Sequence, residues 1–149
     1  MGVKLTATRD DQARPAIVAL AIGEPGRGTD RLRAAELLGA QDRERPTDGL
    51  APYLLARMRL DARDYATAAQ HLDRALSRTP AQRGLRAGAL RMRMQVACAM
   101  GDVSAARGAL GSYARDTEVT RARFAIMRRF VARCTQTPVE DLDAFEGGR

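Results

Sequence analysis

The chain contains no tryptophan and no asparagine, and its 149 residues include only three tyrosines and three phenylalanines. Runs of β-branched and aromatic residues, which are typical of strands, are scarce. The core therefore has to be built mainly from alanine, leucine, valine and methionine, residues that suit closely packed helices. These absences argue against a sheet-rich fold and favour an all-α one.

Cysteine and histidine are also rare. The two cysteines, Cys98 and Cys134, are too few for a disulfide scaffold, and both fall on apolar faces of predicted helices. A disulfide between them would need suitable geometry and is not expected in a reducing compartment, but the sequence leaves open whether they pair. His71 is the only histidine and has no cluster of ligating or catalytic residues beside it in the sequence, so we expect no metal and no cofactor. Because phosphate-loop and nucleophile-elbow motifs are missing too, we expect a protein that is not an enzyme.

Long apolar segments are absent as well. No run approaches the roughly 20 apolar residues that a membrane span needs. The chain does not open on the basic, apolar and small-residue pattern of a signal peptide. We therefore expect a bacterial-type cytoplasmic protein with no membrane partner.

The charge is strongly positive and is carried almost entirely by arginine. The net charge is +7, and Lys4 is the only lysine among 25 basic residues. The planar fork of arginine binds carboxylate and phosphate groups in bidentate fashion. The composition alone therefore leaves open either an acidic protein or a nucleic acid as the partner.

A pattern that returns every 34 residues organises the chain. Four residues recur at this spacing, and the first three of them recur once more 38 residues later: Asp30, Ala34, Leu38 and Pro46; Asp64, Ala68, Leu72 and Pro80; Asp102, Ala106 and Leu110. A fixed period of this size is typical of stacked helix–turn–helix units.

Capping residues, glycines and apolar spacing place the helices along this pattern. The predicted helices are Gln12–Ile22, Asp30–Ala40, a helix capped by Thr47-Asp48 and running to Leu60, Asp64–Ser77, Gly84–Met100, Val103–Tyr113, a helix opened by Asp116-Thr117, and a short one from Thr137 to Phe145. The last of these carries a capping box, with proline at the first helical position.

The segment from Asp64 to Pro80 resembles the second helix of a tetratricopeptide repeat. Ala68, Leu72, Ala75 and Pro80 have that family's spacing of small, large apolar, small and proline residues. The resemblance implies an all-α solenoid of seven or eight helices in one domain. Its parts are a degenerate first repeat at 12–46, a second at 47–80, a third at 81–115, and capping helices at 116–146.

The resemblance also implies a concave groove lined by the first helix of each unit. Its register places six predicted groove residues there: Tyr53, Arg57, Leu60, Arg91, Gln95 and Arg129. Cys98 follows on the same face. Three arginines along one groove suit an acidic peptide or a terminal carboxylate. Charge on a helix face can equally be a solvated surface.

An acidic segment closes the chain. Residues 139–149 contain Glu140, Asp141, Asp143 and Glu146 around the apolar Leu142 and Phe145, and one arginine. Two interpretations follow. The segment could dock on the chain's own basic groove, or on that of a neighbouring molecule, and mask it. It could instead be a plain capping element with a polar outer face, as terminal repeats require.

Three functions are compatible with these patterns. The preferred one is a non-catalytic scaffold or adaptor that holds a peptide or helix of another protein in the groove. The second is a nucleic-acid-associated, regulatory helical domain, supported by a pI near 10.6. The third is a structural subunit that forms homo-oligomers through exposed apolar helix faces.

Overall fold

The computed structural model describes residues 28–78 and 83–147, except for the side chains of residues 28 and 29. These residues form six α-helices and one 3-10 turn, without a β-strand, which confirms the all-α prediction. The helices are α1 (Gly28–Glu44), α2 (Leu50–Asp61), α3 (Tyr65–Ser77), α4 (Leu85–Met100), α5 (Val103–Ala114) and α6 (Arg121–Thr135), and the 3-10 turn is Val139–Asp141. The predicted helix Gln12–Ile22 lies outside the described residues.

The recurring alanines and leucines are core residues. All six of them have no exposed surface: Ala34, Ala68, Ala106, Leu38, Leu72 and Leu110. Each alanine lies one turn before its leucine on the same face of a helix, so a neighbouring helix can approach closely at the alanine. The residues that recur along the sequence are therefore those at which the helices pack together.

Two of the three recurring aspartates cap helices. The Asp64 carboxylate accepts a hydrogen bond from the Thr67 backbone N–H, and the Asp102 carboxylate accepts one from the Ala105 N–H. Each satisfies a donor that the first turn of a helix leaves unpaired. Asp30 differs, because α1 begins at Gly28 and Asp30 lies inside its first turn.

The start of α6 was predicted wrongly. Asp116-Thr117 does not open a helix, because the Asp116 carboxylate accepts the Glu118 N–H and holds a local turn. The Thr120 hydroxyl accepts the Arg123 N–H instead, and the helix begins at Arg121. The helix after Thr47-Asp48 begins at Leu50, where the Asp48 carboxylate accepts the Leu50 N–H.

The predicted helix from Thr137 to Phe145 is only the 3-10 turn Val139–Asp141, followed by a non-helical segment. Leu142 is buried in the core and Phe145 packs against Phe124 with a ring-centroid distance of 5.6 Å. The carbonyl groups of Asp141 and Leu142 accept hydrogen bonds from Arg107 and Arg128 respectively. These hydrogen bonds take the place of helical ones. The non-helical path is favoured because it packs Leu142 and Phe145 against the core at the same time.

Helix α4 contributes to every core cluster of the described residues. Leu85 packs with leucines of α1 and α2, whereas Met92 and Val96 pack with α2 and α3. Leu90 and Met94 belong to the largest cluster, which includes α5, α6 and Leu142. A helix that is apolar around most of its circumference must be surrounded by others.

One carboxylate joins the C-terminal ends of α1 and α3. Asp42 accepts a hydrogen bond from Arg74 at 2.9 Å and forms a second ion pair with Arg78. Burial raises the pKa of Asp42, but the hydrogen bonds from Arg78 and Arg74 outweigh it, and the net pKa is lowered. The ionised carboxylate therefore stabilises the fold.

We expect Asp42→Asn to lower the free energy of unfolding by about 1–3 kcal/mol at neutral pH, because two arginines lose a charged acceptor. Since the pKa is lower in the folded state, the stabilisation is present above about pH 4 and is lost as the pH falls below it. Urea unfolding at several pH values measures this. Asp73→Asn is the control, since Asp73 also pairs with an arginine but is 62% exposed. An equal loss in both variants would contradict the prediction.

We expect Leu142→Ala to lower the free energy of unfolding by about 2–5 kcal/mol, the usual cost of truncating a buried leucine. Leu142 is 4% exposed. Thermal unfolding measures the loss, with Ile126→Ala as the control because Ile126 is 58% exposed. If Leu142→Ala is as stable as the control, the C-terminal segment does not form part of the core.

Candidate functional site

A pocket of about 270 Å³ lies between α2 and α4. Five of the six predicted groove residues line it, although α2 and α4 are separate in sequence: Tyr53, Arg57, Leu60, Arg91 and Gln95. Asp61, Gly88 and Met92 complete the wall. The structure thus brings these five side chains together, while their role in binding stays a prediction.

Helical spacing places the lining residues on facing surfaces. Tyr53, Arg57 and Leu60 recur at intervals of four and three residues along one face of α2. Arg91 and Gln95 lie four residues apart on one face of α4, which packs directly against α2. Because both helices are held in the core by their opposite faces, the pocket has a preformed wall.

Gly88 sets the depth of the pocket on the α4 side. A Cβ atom at this position would lie 3.2 Å from the Tyr53 hydroxyl oxygen and 3.7 Å from Arg91 Nη2. Any larger residue would therefore displace the tyrosine or fill the space beneath it. The sequence analysis missed Gly88, Asp61 and Met92, although the spacing of residues 88, 91, 92 and 95 is that of one helix face.

The charge of the pocket is not neutralised by ion pairing. Arg57 and Arg91 are half-buried, and neither forms an ion pair or a hydrogen bond with another described residue. Asp61 is exposed at the edge and is not ion-paired with either of them. Two half-buried arginines that have no ion-pair partner among the described residues have the chemistry to bind a carboxylate or another planar anion.

Arg129 does not share this pocket. It is an exposed residue of α6, and the pocket is lined from α2 and α4 alone. It lies on a helix that carries five arginines and no acidic residue. Two of these arginines are engaged by the C-terminal segment, where Arg121 lies over the Phe145 ring and Arg128 donates to the Leu142 carbonyl.

The acidic C-terminal segment does not occupy the pocket. Glu146 donates its backbone N–H to the Ala114 carbonyl, and Asp143 lies beside Gly111 on α5. The segment packs on α5 and α6 through Leu142 and Phe145. The hypothesis that it masks the chain's own groove is therefore wrong, and the capping interpretation agrees with the observed packing.

Cys98 and Cys134 form a disulfide between α4 and α6, with their Cα atoms 5.7 Å apart. The sequence left this pairing open and a reducing compartment did not favour it, but the structure shows the bond. Sequence alone showed two cysteines on apolar faces, but not that α4 and α6 pack together and bring these residues within bridging distance. Cys98 does not line the pocket, although it follows Gln95 on the same face of α4.

His71 belongs to the ionic network at the end of α1. Its Nδ1 atom lies 2.7 Å from Arg74 Nη2, the guanidinium group that also binds Asp42. Burial lowers the pKa of His71, and the charges of Arg74 and Arg59 lower it further. A neutral imidazole that accepts a hydrogen bond from Arg74 fits this environment. No group of three or more His, Cys, Asp or Glu residues that could hold a metal ion occurs within the described ranges.

We expect Gly88→Ala to stabilise the protein less than Gly108→Ala. Alanine is favoured over glycine inside a helix by about 1 kcal/mol. A Cβ atom at Gly108 has nothing within 4 Å, whereas at Gly88 it meets the Tyr53 hydroxyl. Chemical denaturation compares the two variants, and an equal gain would mean that Tyr53 does not lie over Gly88.

None of the helices in the described ranges is long and apolar enough to cross a membrane. Comparison with protein-family models, with curated proteins and with solved structures finds no match for this chain. The evidence for function is therefore the site itself.

Proposed function

We propose that this protein is a non-catalytic scaffold or adaptor that holds an acidic peptide or helix of a partner protein in the pocket between α2 and α4. The observation that supports this most is the pair Arg57 and Arg91, half-buried and without an ionic partner among the described residues. Tyr53 and Leu60 beside them supply apolar contact. This combination of charge and apolar surface suits a side-chain carboxylate presented on a peptide.

The size of the pocket also favours a peptide. Sites for drug-sized ligands and cofactors usually enclose about 300–1,000 Å³, and this pocket, at about 270 Å³, is smaller. It has room for one or two side chains of a longer ligand. Asp61 at its edge would repel a second carboxylate placed there, which gives the site a means of selecting among acidic sequences.

The helical-repeat arrangement is part of the same proposal. Consecutive helices pack on one another, and α2 also contacts α4, which in turn contacts α6. Such contacts between the first helices of successive units are expected of stacked tetratricopeptide-like repeats. In this arrangement Arg129 of α6 extends the basic surface beyond the pocket. A cytoplasmic location and the repeat boundaries given above belong to this proposal.

A nucleic-acid-associated domain is the second candidate because of α6. This helix has five arginines and no acidic residue, and Arg123, Arg129 and Arg133 are exposed. Phosphate binding through these side chains would weaken steeply as the salt concentration rises. No aromatic side chain of α6 is exposed for base stacking, since Phe124 is buried and Phe130 is partly buried against the core.

We expect Arg57→Glu/Arg91→Glu to weaken the binding of a fluorescein-labelled oligoglutamate peptide about 100-fold or more. Each lost charge-assisted hydrogen bond costs about 1.5 kcal/mol or more, and the new carboxylates repel the ligand. Fluorescence anisotropy measures the affinity. The same variant serves as bait in a pull-down from nuclease-treated lysate of the source cells, where a partner held by the unaltered protein should be lost.

The control is Arg43→Glu/Arg123→Glu, which changes the net charge equally at two exposed positions away from the pocket. It should keep most of the affinity for the peptide. Equal losses in the two double variants would mean that the peptide responds only to net charge. Binding that disappears after nuclease treatment would favour the nucleic-acid candidate, and a purified mass above 16.2 kDa would favour the homo-oligomer.

A further inference from the structure

We propose that the Cys98–Cys134 disulfide is a thiol–disulfide exchange site, at which a dithiol reductant controls the basic groove. The first half of this proposal depends only on the two sulfur atoms and their surroundings. The second half rests on the proposed function of the pocket between α2 and α4.

The two bonded cysteines differ in exposure. Cys134 is an exposed residue in the last turn of α6, whereas Cys98 is half-buried on α4. An exposed disulfide is open to direct attack, and exposed disulfides are typically the labile or regulatory ones. We therefore assign Sγ of the more exposed residue, Cys134, as the atom that an incoming thiolate attacks.

The charge around Cys134 favours an anionic attacker. Helix α6 carries five arginines and no acidic residue, and exposed Arg133 directly precedes Cys134. A positive surface concentrates thiolate near the disulfide and stabilises the thiolates that reduction produces.

The exchange proceeds in two displacements. A thiolate of the reductant bonds to Cys134 Sγ as the Cys98–Cys134 bond breaks, and Cys98 leaves as a thiolate that takes a proton from water. The second thiol of the reductant loses its proton and attacks the mixed disulfide, which releases Cys134. Two electrons pass from the dithiol to the protein, and the reductant leaves as its own disulfide.

The disulfide lies on the groove face of α4. Arg91, Gln95 and Cys98 follow one another at intervals of four and three residues, so Cys98 is about one turn beyond the pocket. The partner cysteine belongs to α6, the helix that carries Arg129. The bond therefore ties the outer basic helix to the helix that forms the pocket wall.

The fold has other means of holding α6 after reduction. Met94 and Ala97 of α4 share a buried cluster with Met127 and Val131 of α6. These contacts do not depend on the disulfide. Reduction would therefore release the C-terminal end of α6 near Cys134 and leave the pocket residues of α2 and α4 in place. In a reducing compartment, disulfides that do form are usually of this transient, redox-sensing kind.

The test has two readouts on the full chain. The first is the rate of reduction in native buffer, followed by thiol titration at increasing dithiothreitol concentration. Direct attack predicts a rate that rises in proportion to the concentration. A rate that levels off at the rate of global unfolding would overturn the exchange site.

The second readout is the affinity for the oligoglutamate peptide in the oxidised and reduced states. Release of exposed Arg133, which directly precedes Cys134, predicts weakening of about two- to fivefold on reduction, the value of one exposed ion pair. Cys98→Ala/Cys134→Ala, checked for folding by circular dichroism, should bind like the reduced protein under both conditions. Equal affinity of the two states would overturn redox control while the groove function stands. Absence of binding in both states would overturn the groove and its control together, and the reduction rate alone would then decide the exchange site.

Discussion

The packing of α4 is the constraint on which the rest of the structure depends. Its leucines and methionines enter all three core clusters of the described residues. Helices α2, α3, α5 and α6 pack on it, and α1 packs on α2 in the cluster that also contains Leu85. Gly88 and Arg91 lie on the surface of α4 that faces α2, and they leave space between the two helices. The candidate pocket is therefore a consequence of how the core is filled. A rigid wall of this kind lowers the entropic cost of holding a ligand.

Arginine has two different roles in this protein. Arg74 and Arg78 surround a mostly buried carboxylate, Asp42, and join α1 to α3. Arg57 and Arg91 have comparable partial burial but no ion pair within the described part of the chain. A half-buried cation is costly to desolvate unless an anion accompanies it. The lack of an ion-pair partner for these two arginines among the described residues is thus physically more informative than the high arginine content of the chain.

Local sequence signals predicted the helices well where one residue type decides the conformation. Asp64 and Asp102 cap helices, and the period of alanine and leucine matches complete burial. The predictions failed at the start of α6, where two local capping signals competed, and in the C-terminal segment, where a local signal competed with burial. Thr120 rather than Asp116 caps α6, and burial of Leu142 prevailed over the capping box that predicted a final helix. Tertiary contacts outweigh local propensity in such cases because they bury more apolar area.

The sequence by itself determined the all-α class and which residues share a helix face, because helical spacing decides this. The five side chains that line one pocket were predicted from the resemblance to tetratricopeptide repeats. Only the tertiary structure decided which faces meet. It joined Cys98 to Cys134, left Arg129 outside the pocket and placed the acidic C-terminal segment on α5 and α6. The reason is that contacts between distant helices depend on the shape of the whole core, which no local pattern encodes.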